Sequence, residues 1–392
     1  MLSLVLYAVA GVGLLVVAAQ VAAVVCHVLA ARDPALAPGD APPVSILKPL
    51  CGDDDELAEN LEAFATLAYP CFELILGVEH VRDAAYPVAV AARARWPGRV
   101  RVVVQRGVPG LNPKVCQLMT LAAEARHGIL VVSDSNIRPP ADYLHGIAAH
   151  LADPGVGLVT HAIVGSGAQS LGSLLDGLHL STAVGPAVIA AKRFAGTDIV
   201  VGKSMAFRAA DLAALGGFAI VKDVLAEDYV LGLLVPEKLG KRVVVARAPV
   251  MQITRQRSVG DFARRCHRWQ IIHRKAVSRL AYAAEVALNP VCLAAAAAAL
   301  GPAAPALAVL ATKIGLDFLS GRLLGSPLAL RALAVGPIRE LFILYAWTRA
   351  LVSDSVVWRG HRLRVQAGTR LALPEPEVRA LHETPADARL SP

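Results

Sequence analysis

Residues 129–140 read ILVVSDSNIRPP. A short apolar run closed by turn-forming residues has the length and composition of a buried strand, and this one carries Asp134 to its carboxyl end. Comparable runs stand at 44–47, 74–78, 100–104, 156–160 and 243–246, separated by helical patterns through residues 43–250. Strands alternating with helices predict an α/β domain built on a mostly parallel sheet. Ligands of such sheets bind beyond the carboxyl ends of the strands. The polar residues there are Lys48 after the first run, Glu79 and His80 after the second, GVPGLNPK (107–114, ending in Lys114) after the third, and Asp134, Ser135 and Asn136 after the fourth. Together they describe one rim.

Two readings of Asp134 stay open on chemistry alone. A carboxylate at a strand end can hold a divalent cation that also binds a diphosphate, or it can cap a turn leading into Arg138-Pro139-Pro140. A second acidic site, Glu227-Asp228, follows Gly216-Gly217-Phe218 and opens a helical pattern, where acids also complement the helix dipole. Neither GxGxxG nor a P-loop occurs, and no internal repeat is present, so a Rossmann dehydrogenase or an NTPase has no support.

Residues 255–279 hold eight Lys or Arg against one acid, Asp261. Arg265, Arg268 and Trp269 fall at i, i+3 and i+4 and share a helix face. A basic helix of this kind suits anionic lipid; nucleic-acid binding lacks any accompanying motif.

The 392 residues are 55% hydrophobic with a formal charge of +8, which excludes a disordered chain. Cys26, Cys51, Cys71, Cys116, Cys266 and Cys292 are scattered without CxxC spacing, which predicts reduced thiols and no zinc site. Residues 2–31 carry no charge, and at about 1.5 Å per residue they exceed the roughly 30 Å of a bilayer core. With no basic residue before them and Arg32 after them, they predict a retained transmembrane anchor (1–31) and a cytoplasmic catalytic domain (43–250). A basic interfacial region (251–280) follows. Within 281–358, residues 286–312, interrupted by Asn289-Pro290, Gly301-Pro302 and Pro305, predict a second span, straight or kinked, while 332–358, with Arg339, Glu340 and Arg349, predict a bundle-facing span or an interfacial helix. Residues 359–392 read as a cytoplasmic tail, polar and Pro-containing after Leu373.

The words KPL (48–50), YPCFEL (69–74), GLNPK (110–114), DSNIRP (134–139), VGKSMAFR (201–208), GGF (216–218), AEDY (226–229), RCHRW (265–269), IRE (338–340) and WRGHRLRVQAGT (358–369) resemble, in order, the ceramide glucosyltransferases of glycosyltransferase family 21, relatives of family 2. Hopanoid glycosyltransferases share much of the catalytic pattern, whereas the last two words are closer to the ceramide branch.

The resemblance implies a glycosyltransferase A-type nucleotide-sugar-binding domain and inverting transfer of a hexose from a UDP-sugar to ceramide; the alternatives are a hopanoid N-acetylglucosaminyltransferase and a catalytically silent membrane scaffold that keeps only the fold. It implies Mg²⁺ or Mn²⁺ with the diphosphate at Asp134, Asp228 as catalytic base, and Arg265, Arg268 and Trp269 as the (Q/R)xxRW motif beside diphosphate and acceptor. Lys48, Lys114 and Asn136 fall among the donor-binding positions. The chain departs from the family where VEHVRDAA replaces an aspartate after the second strand, leaving Glu79 or Asp83 for that contact. It departs again where Asn136 stands in place of a second carboxylate.

Overall fold

The computed structural model describes residues 1–29, 33–37, 39–358 and 361–374. Eleven strands are β1 (Val44–Pro49), β2 (Phe72–Val78), β3 (Val100–Val104), β4 (Ile129–Ser133), β5 (Ile137–Arg138), β6 (Val156–Ser166), β7 (Ser204–Arg208), β8 (Arg242–Ile253), β9 (Ser355–Trp358), β10 (His361–Val365) and β11 (Leu371–Ala372). The helices before β8 are α1 (Leu2–Leu29), α2 (Leu57–Ala65), α3 (Ala85–Arg95), α4 (Pro113–Glu124), α5 (Tyr143–Ala152), α6 (Leu171–His179), α7 (Gly185–Ala190), α8 (Ala209–Leu215) and α9 (Glu227–Leu239). After β8 come α10 (Val259–Ala276), α11 (Arg279–Ala287), α12 (Pro290–Leu300), α13 (Ala304–Leu323) and α14 (Gly336–Val352).

The first eight strands form one sheet in the order β3-β2-β1-β4-β7-β6-β8-β5. Strands β3, β2, β1 and β4 run parallel, as do β6 and β8. All six runs read from the sequence are strands here. Every residue of β1, β2 and β4 is buried, because helices cover both sheet faces and leave no polar side to alternate. Strand β7 was not expected. It enters antiparallel between β4 and β6, and β5 pairs antiparallel with β8. SMAFR is too short and mixed to stand out, and its place depends on the excursion that precedes it.

That excursion, residues 171–195, combines α6, α7 and two π-helical turns at Leu180–Val184 and Ala191–Ala195. It is long and apolar enough to cross a membrane, yet two thirds of its apolar window is buried within the protein. It packs on β6, α1, α10 and α13, forming the floor between sheet and apolar helices.

Two other helices, α1 and α13, have the length and composition of membrane spans and expose most of their surface; α11 and α12 together make a further candidate bent by 55°. A kink expected within 286–312 falls at Gly301-Pro302, which divides the segment between α12 and the span-length helix α13. A proline without an N–H cannot continue the helix before it. The segment at 332–358 is resolved differently, as a 17-residue α14 followed by β9. Two of its charges, Arg339 and Glu340, are buried in protein, whereas Arg349 is exposed. Arg339 contacts Glu340 and the Thr182 hydroxyl and lies 3.5 Å from Asp317, Lys313 donates to both Asp317 oxygens at 2.6 Å, and the Asn289 amide donates to Glu340 at 2.8 Å. Two cations and two anions cancel, fastening α14 to α13 and to the π turn after α6.

The chain after α14 is folded further than a tail. Strands β9–β11 form an antiparallel sheet whose end meets the loop before α9: Leu225 N–H donates to Thr369 O at 2.8 Å and Leu371 N–H to Asp223 O at 2.7 Å. Arg32, Arg359 and the polar segment from residue 375 onward lie outside the described residues. All six cysteines are free thiols.

Removing one member of the buried ion cluster strands its partners, at a cost of about 3–5 kcal/mol. Arg339→Leu should therefore lower the melting temperature of the detergent-solubilised protein markedly, and Arg339→Leu with Glu340→Gln should recover part of the loss. An unchanged melting temperature in Arg339→Leu would show that the cluster does not stabilise the fold.

Candidate active site

Register places the first charges. In the parallel pair β1–β4, Leu47 lies beside Val132, so Lys48, near the carboxyl end of β1, falls at the level of Ser133. In the antiparallel pair β4–β7, Ser133 lies beside Ser204, which sets Asp134 opposite Lys203. Lys203 Nζ is 2.6 Å from Asp134 Oδ2. Lys48 is fully buried, donates to Asp134 O at 2.6 Å and covers the Phe64 ring at 3.8 Å.

Lys114 enters from α4. Asn112 caps that helix by accepting from Val115 N–H, and Pro113 occupies the first turn, where its missing N–H costs nothing. The Asn112 amide also donates to Val224 O, and Leu111 N–H to Asp223 Oδ1, tying GLNPK to the loop before α9. A Cβ at Gly110 would lie 2.5 Å from Lys222 O, so only glycine lets these loops meet. Lys114 Nζ then stands 2.9 Å from Asp134 Oδ1, 2.9 Å from Glu227 Oε1 and 2.9 Å from the Gly202 carbonyl.

Asp228 occupies the first turn of α9, accepting from Gly202 N–H at 2.6 Å and from its neighbour Tyr229 N–H at 2.8 Å. A Cβ at Gly202 would approach Asp228 Oδ2 to 2.8 Å and Lys114 Nζ to 3.0 Å. Three cations and three carboxylates thus meet at the carboxyl ends of β1 and β4, the starts of α4 and α9 and the entry to β7.

The electrostatics separate these groups. Burial opposes the Asp134 charge, but Lys114 and Lys203 outweigh it and hold the carboxyl well below its usual range. Burial likewise works against the Lys114 charge, and Asp134, Glu227 and Asp228 reverse that and keep it protonated. Lys48 is pushed down to about 7 by burial, which Asp134 and Asp54 only partly offset. Asp228 is pushed up to about 6 by burial and by Glu227, against Lys114 and its two N–H donors. A half-buried carboxylate with this proton affinity suits a general base near neutral pH.

The remaining expected residues are placed as follows. Asn136 Oδ1 is buried and lacks a hydrogen-bond partner, while its backbone carbonyl accepts from Ile253 N–H. Glu79 is exposed beyond β2. Asp83 turns inward, its Oδ1 accepting from Gly52 and Ala85 N–H groups at 2.9 Å, and so braces the loops after β1 and β2. Arg265 lies on α10, 2.5 Å from the fully buried Asp176 and stacked on Trp269 at 4.5 Å. Trp269 meets His179 at 5.9 Å, and Arg268 is half-buried on the same helix. Asp176 also accepts from Gln252 of β8, the partner of Ile137, which connects this pair to the loop carrying Asn136.

Lys203, Glu227 as the counter-ion of Lys114, and Asp176 with His179 were not assigned roles from sequence. The signal for Lys203 was its place inside VGKSMAFR. The acidic run 53–56 was also passed over. It braces the rim: Asp54 contacts Ser135, and Glu56 contacts Arg138 and pairs with Arg255 at 2.7 Å.

A metal fits only in company. Among the described residues no group of three His, Cys, Asp or Glu is placed to hold one. Asp134, whose two oxygens here pair with Lys114 and Lys203, is the single carboxylate, with the partnerless Asn136 amide oxygen two residues on; one carboxylate suffices for Mg²⁺ when substrate phosphates and water supply the rest.

The fold is similar to that of a solved mannosyltransferase, PcManGT from Pyrobaculum calidifontis, in complex with GDP-Man and Mn²⁺, with a TM-score of 0.56 and 20% identity over 90% of this chain and 99% of that one. It is the glycosyltransferase A-type fold expected. Ceramide glucosyltransferases 3 and 1 of Caenorhabditis elegans are 27% and 26% identical over 232 and 230 residues, 58% of this chain. Those matches cover 50% and 49% of the two relatives, so the chain spans about half the length of the curated relatives it matches. The model of the family described as Glycosyl transferase family 21 matches residues 5–371, nearly the whole chain, and the chain belongs to that family.

Proposed function

We propose that this glycosyltransferase moves a hexose, glucose in the reading favoured here, from a UDP-sugar to the hydroxyl of a membrane lipid, with ceramide as acceptor and the catalytic domain on the cytoplasmic face. The observation that carries the proposal is the Lys114 cluster, which brings a phosphate-side carboxylate, Asp134, and a proton-accepting carboxylate, Asp228, to one rim. Contact of the neighbouring excursion with the apolar helices α1 and α13 supports a lipid acceptor.

In the proposed reaction the lipid oxygen attacks the anomeric carbon, and the bond from that carbon to the diphosphate oxygen breaks as UDP leaves with the electron pair. The hydroxyl proton passes to Asp228. A single displacement without a carboxylate nucleophile inverts the anomeric centre. Lys114 and Lys203 are poised to exchange Asp134 for diphosphate oxygens, and the Arg265, Arg268 and Trp269 face borders the acceptor. Asp134 and Asn136 would hold Mg²⁺ or Mn²⁺, which neutralises the departing diphosphate when bound.

Expression in a host that supplies ceramide, followed by lipid extraction and mass spectrometry, should reveal hexosylceramide. A sugar-bearing hopanoid in its place would move the acceptor to that class, and no sugar-bearing lipid with either would refute the proposal.

Because a base must be ionised, kcat/KM should fall about tenfold per unit as pH drops below about 6, the value to which Asp228 is raised. Asp228→Asn should cost about 10²–10⁴ in turnover while the affinity for UDP-sugar holds. Glu227→Gln should lose less turnover but weaken donor binding by releasing Lys114. Normal turnover in Asp228→Asn across the pH range would remove it as base.

Lys203→Met should raise the donor KM by about 10- to 100-fold, the scale of one lost charged hydrogen bond of about 1.5–3 kcal/mol. EDTA should abolish turnover, with Mg²⁺ or Mn²⁺ restoring it. An unchanged donor KM in Lys203→Met would confine Lys203 to holding Asp134, and full activity in EDTA would remove the metal.

A further inference from the structure

Asp176 is fully buried on α6, and one of its oxygens serves two cations. Oδ1 lies 2.5 Å from Arg265 Nη2 and 3.3 Å from Arg257 Nη1, while Oδ2 accepts from the Gln252 amide at 3.0 Å. Among the described residues neither arginine has another ion-pair partner. Two guanidinium groups thus share one carboxylate, and a positive charge is left over, whereas the cluster on α13 and α14 matches two cations with two anions. Burial, reinforced by Arg257, outweighs Asp176 and lowers the proton affinity of Arg265. Arg265 is 7% exposed, and its Nε–H has no hydrogen-bond partner; His179 Nδ1, one turn after Asp176, is likewise buried and unpartnered. An uncompensated buried charge and an unused buried donor both cost free energy until an anion completes them.

The cluster is fixed from several elements and stands beside the rim. Ser173 Oγ donates to Arg255 O at 2.7 Å and Ser170 Oγ to Arg257 O at 2.6 Å, which staples the start of α6 to the chain between β8 and α10. A Cβ at Gly172 would lie 2.4 Å from Arg257 O, so glycine permits that close approach. Gln252, the amide partner of Asp176, faces Ile137 across the β5–β8 pair, and Ile253 N–H donates to Asn136 O. One strand pair therefore separates the surplus charge from the Asp134 end of β4. In the reaction proposed above the anion at that end is the diphosphate, whose oxygens match a guanidinium fork. From the surplus charge and the unused donor together, we propose that Asp176 is a positioning residue which, shared with Arg257, holds Arg265 ready for a phosphate group of the donor diphosphate. This rests on the UDP-sugar reading and adds the two residues, Asp176 and Arg257, that prepare Arg265 for it.

The test measures binding of UDP and of uridine to the full-length, detergent-solubilised protein at fixed Mn²⁺. Uridine lacks the diphosphate, so the ratio of the two Kd values isolates the anion. Asp176→Asn should raise the UDP Kd about tenfold, the scale of one charge-assisted hydrogen bond, and leave the uridine Kd unchanged. Charge alone predicts the opposite, because taking a carboxylate from a positively charged cluster strengthens its pull on an anion; tighter or unchanged UDP binding would overturn the positioning role. Arg257→Gln should weaken UDP about threefold, again without affecting uridine. In an Arg265→Met background Asp176→Asn should add nothing, since it acts through Arg265, and additive losses would refute that route. Should Asp176→Asn lose uridine binding as well, Arg257→Gln decides alone, its side chain being 23% exposed: an unchanged ratio of UDP to uridine Kd would overturn the assignment. A wild-type protein that binds neither UDP nor uridine would instead overturn the UDP-sugar reading, and the assignment with it.

Discussion

The Lys114 ammonium, enclosed by Asp134, Glu227 and the Gly202 carbonyl, is the constraint on which the polar rim depends. With Asp228 beside them, three carboxylates converge where water is scarce. At an effective dielectric near 20, two unit charges about 4 Å apart interact by roughly 4 kcal/mol, so the acids could not stay together without an enclosed cation. The same arrangement divides their labour. Asp134, flanked by two ammonium groups, stays ionised, while Asp228, buried next to Glu227, retains affinity for a proton near neutral pH.

That rim is held together by loops from distant parts of the chain. The GLNPK loop hydrogen-bonds to residues 222–224, and residues 223–225 in turn hydrogen-bond to Thr369 and Leu371 at the end of the chain's last sheet. Asp228 begins its helix directly after this double clasp. The C-terminal strands therefore position the acidic pair, although they lie more than a hundred residues from it in sequence and across the apolar helices from it in chain order.

Charge is handled in opposite ways in the two halves. At the rim, Lys114 and Lys203 pair with Asp134, and Lys114 also pairs with Glu227 beside the proton-accepting Asp228. Between α13 and α14, Lys313, Asp317, Arg339 and Glu340 pair with one another with help from Thr182 and Asn289. Mutual pairing is what allows buried charges beside a span-length helix, since a lone ion there would carry the whole desolvation cost, although Arg339 Nε is left without a partner.

Local pattern alone determined the six expected strands, the uncharged first helix, the Asp134 strand end, the basic α10 and the acidic start of α9. Each is a matter of near-neighbour periodicity or of composition. The pairing of β7 decided that Lys203 faces Asp134, because antiparallel register between Ser133 and Ser204 couples residues 69 positions apart that no local pattern relates. The same holds for Glu227 as the partner of Lys114, for Asp83 as a brace between two loops, and for the ion cluster that turned Arg339 and Glu340 inward. Sequence determines which side chains a short segment offers. Which of them meet is decided by long-range pairing, where burial forces every charge to find a partner wherever in the chain that partner lies.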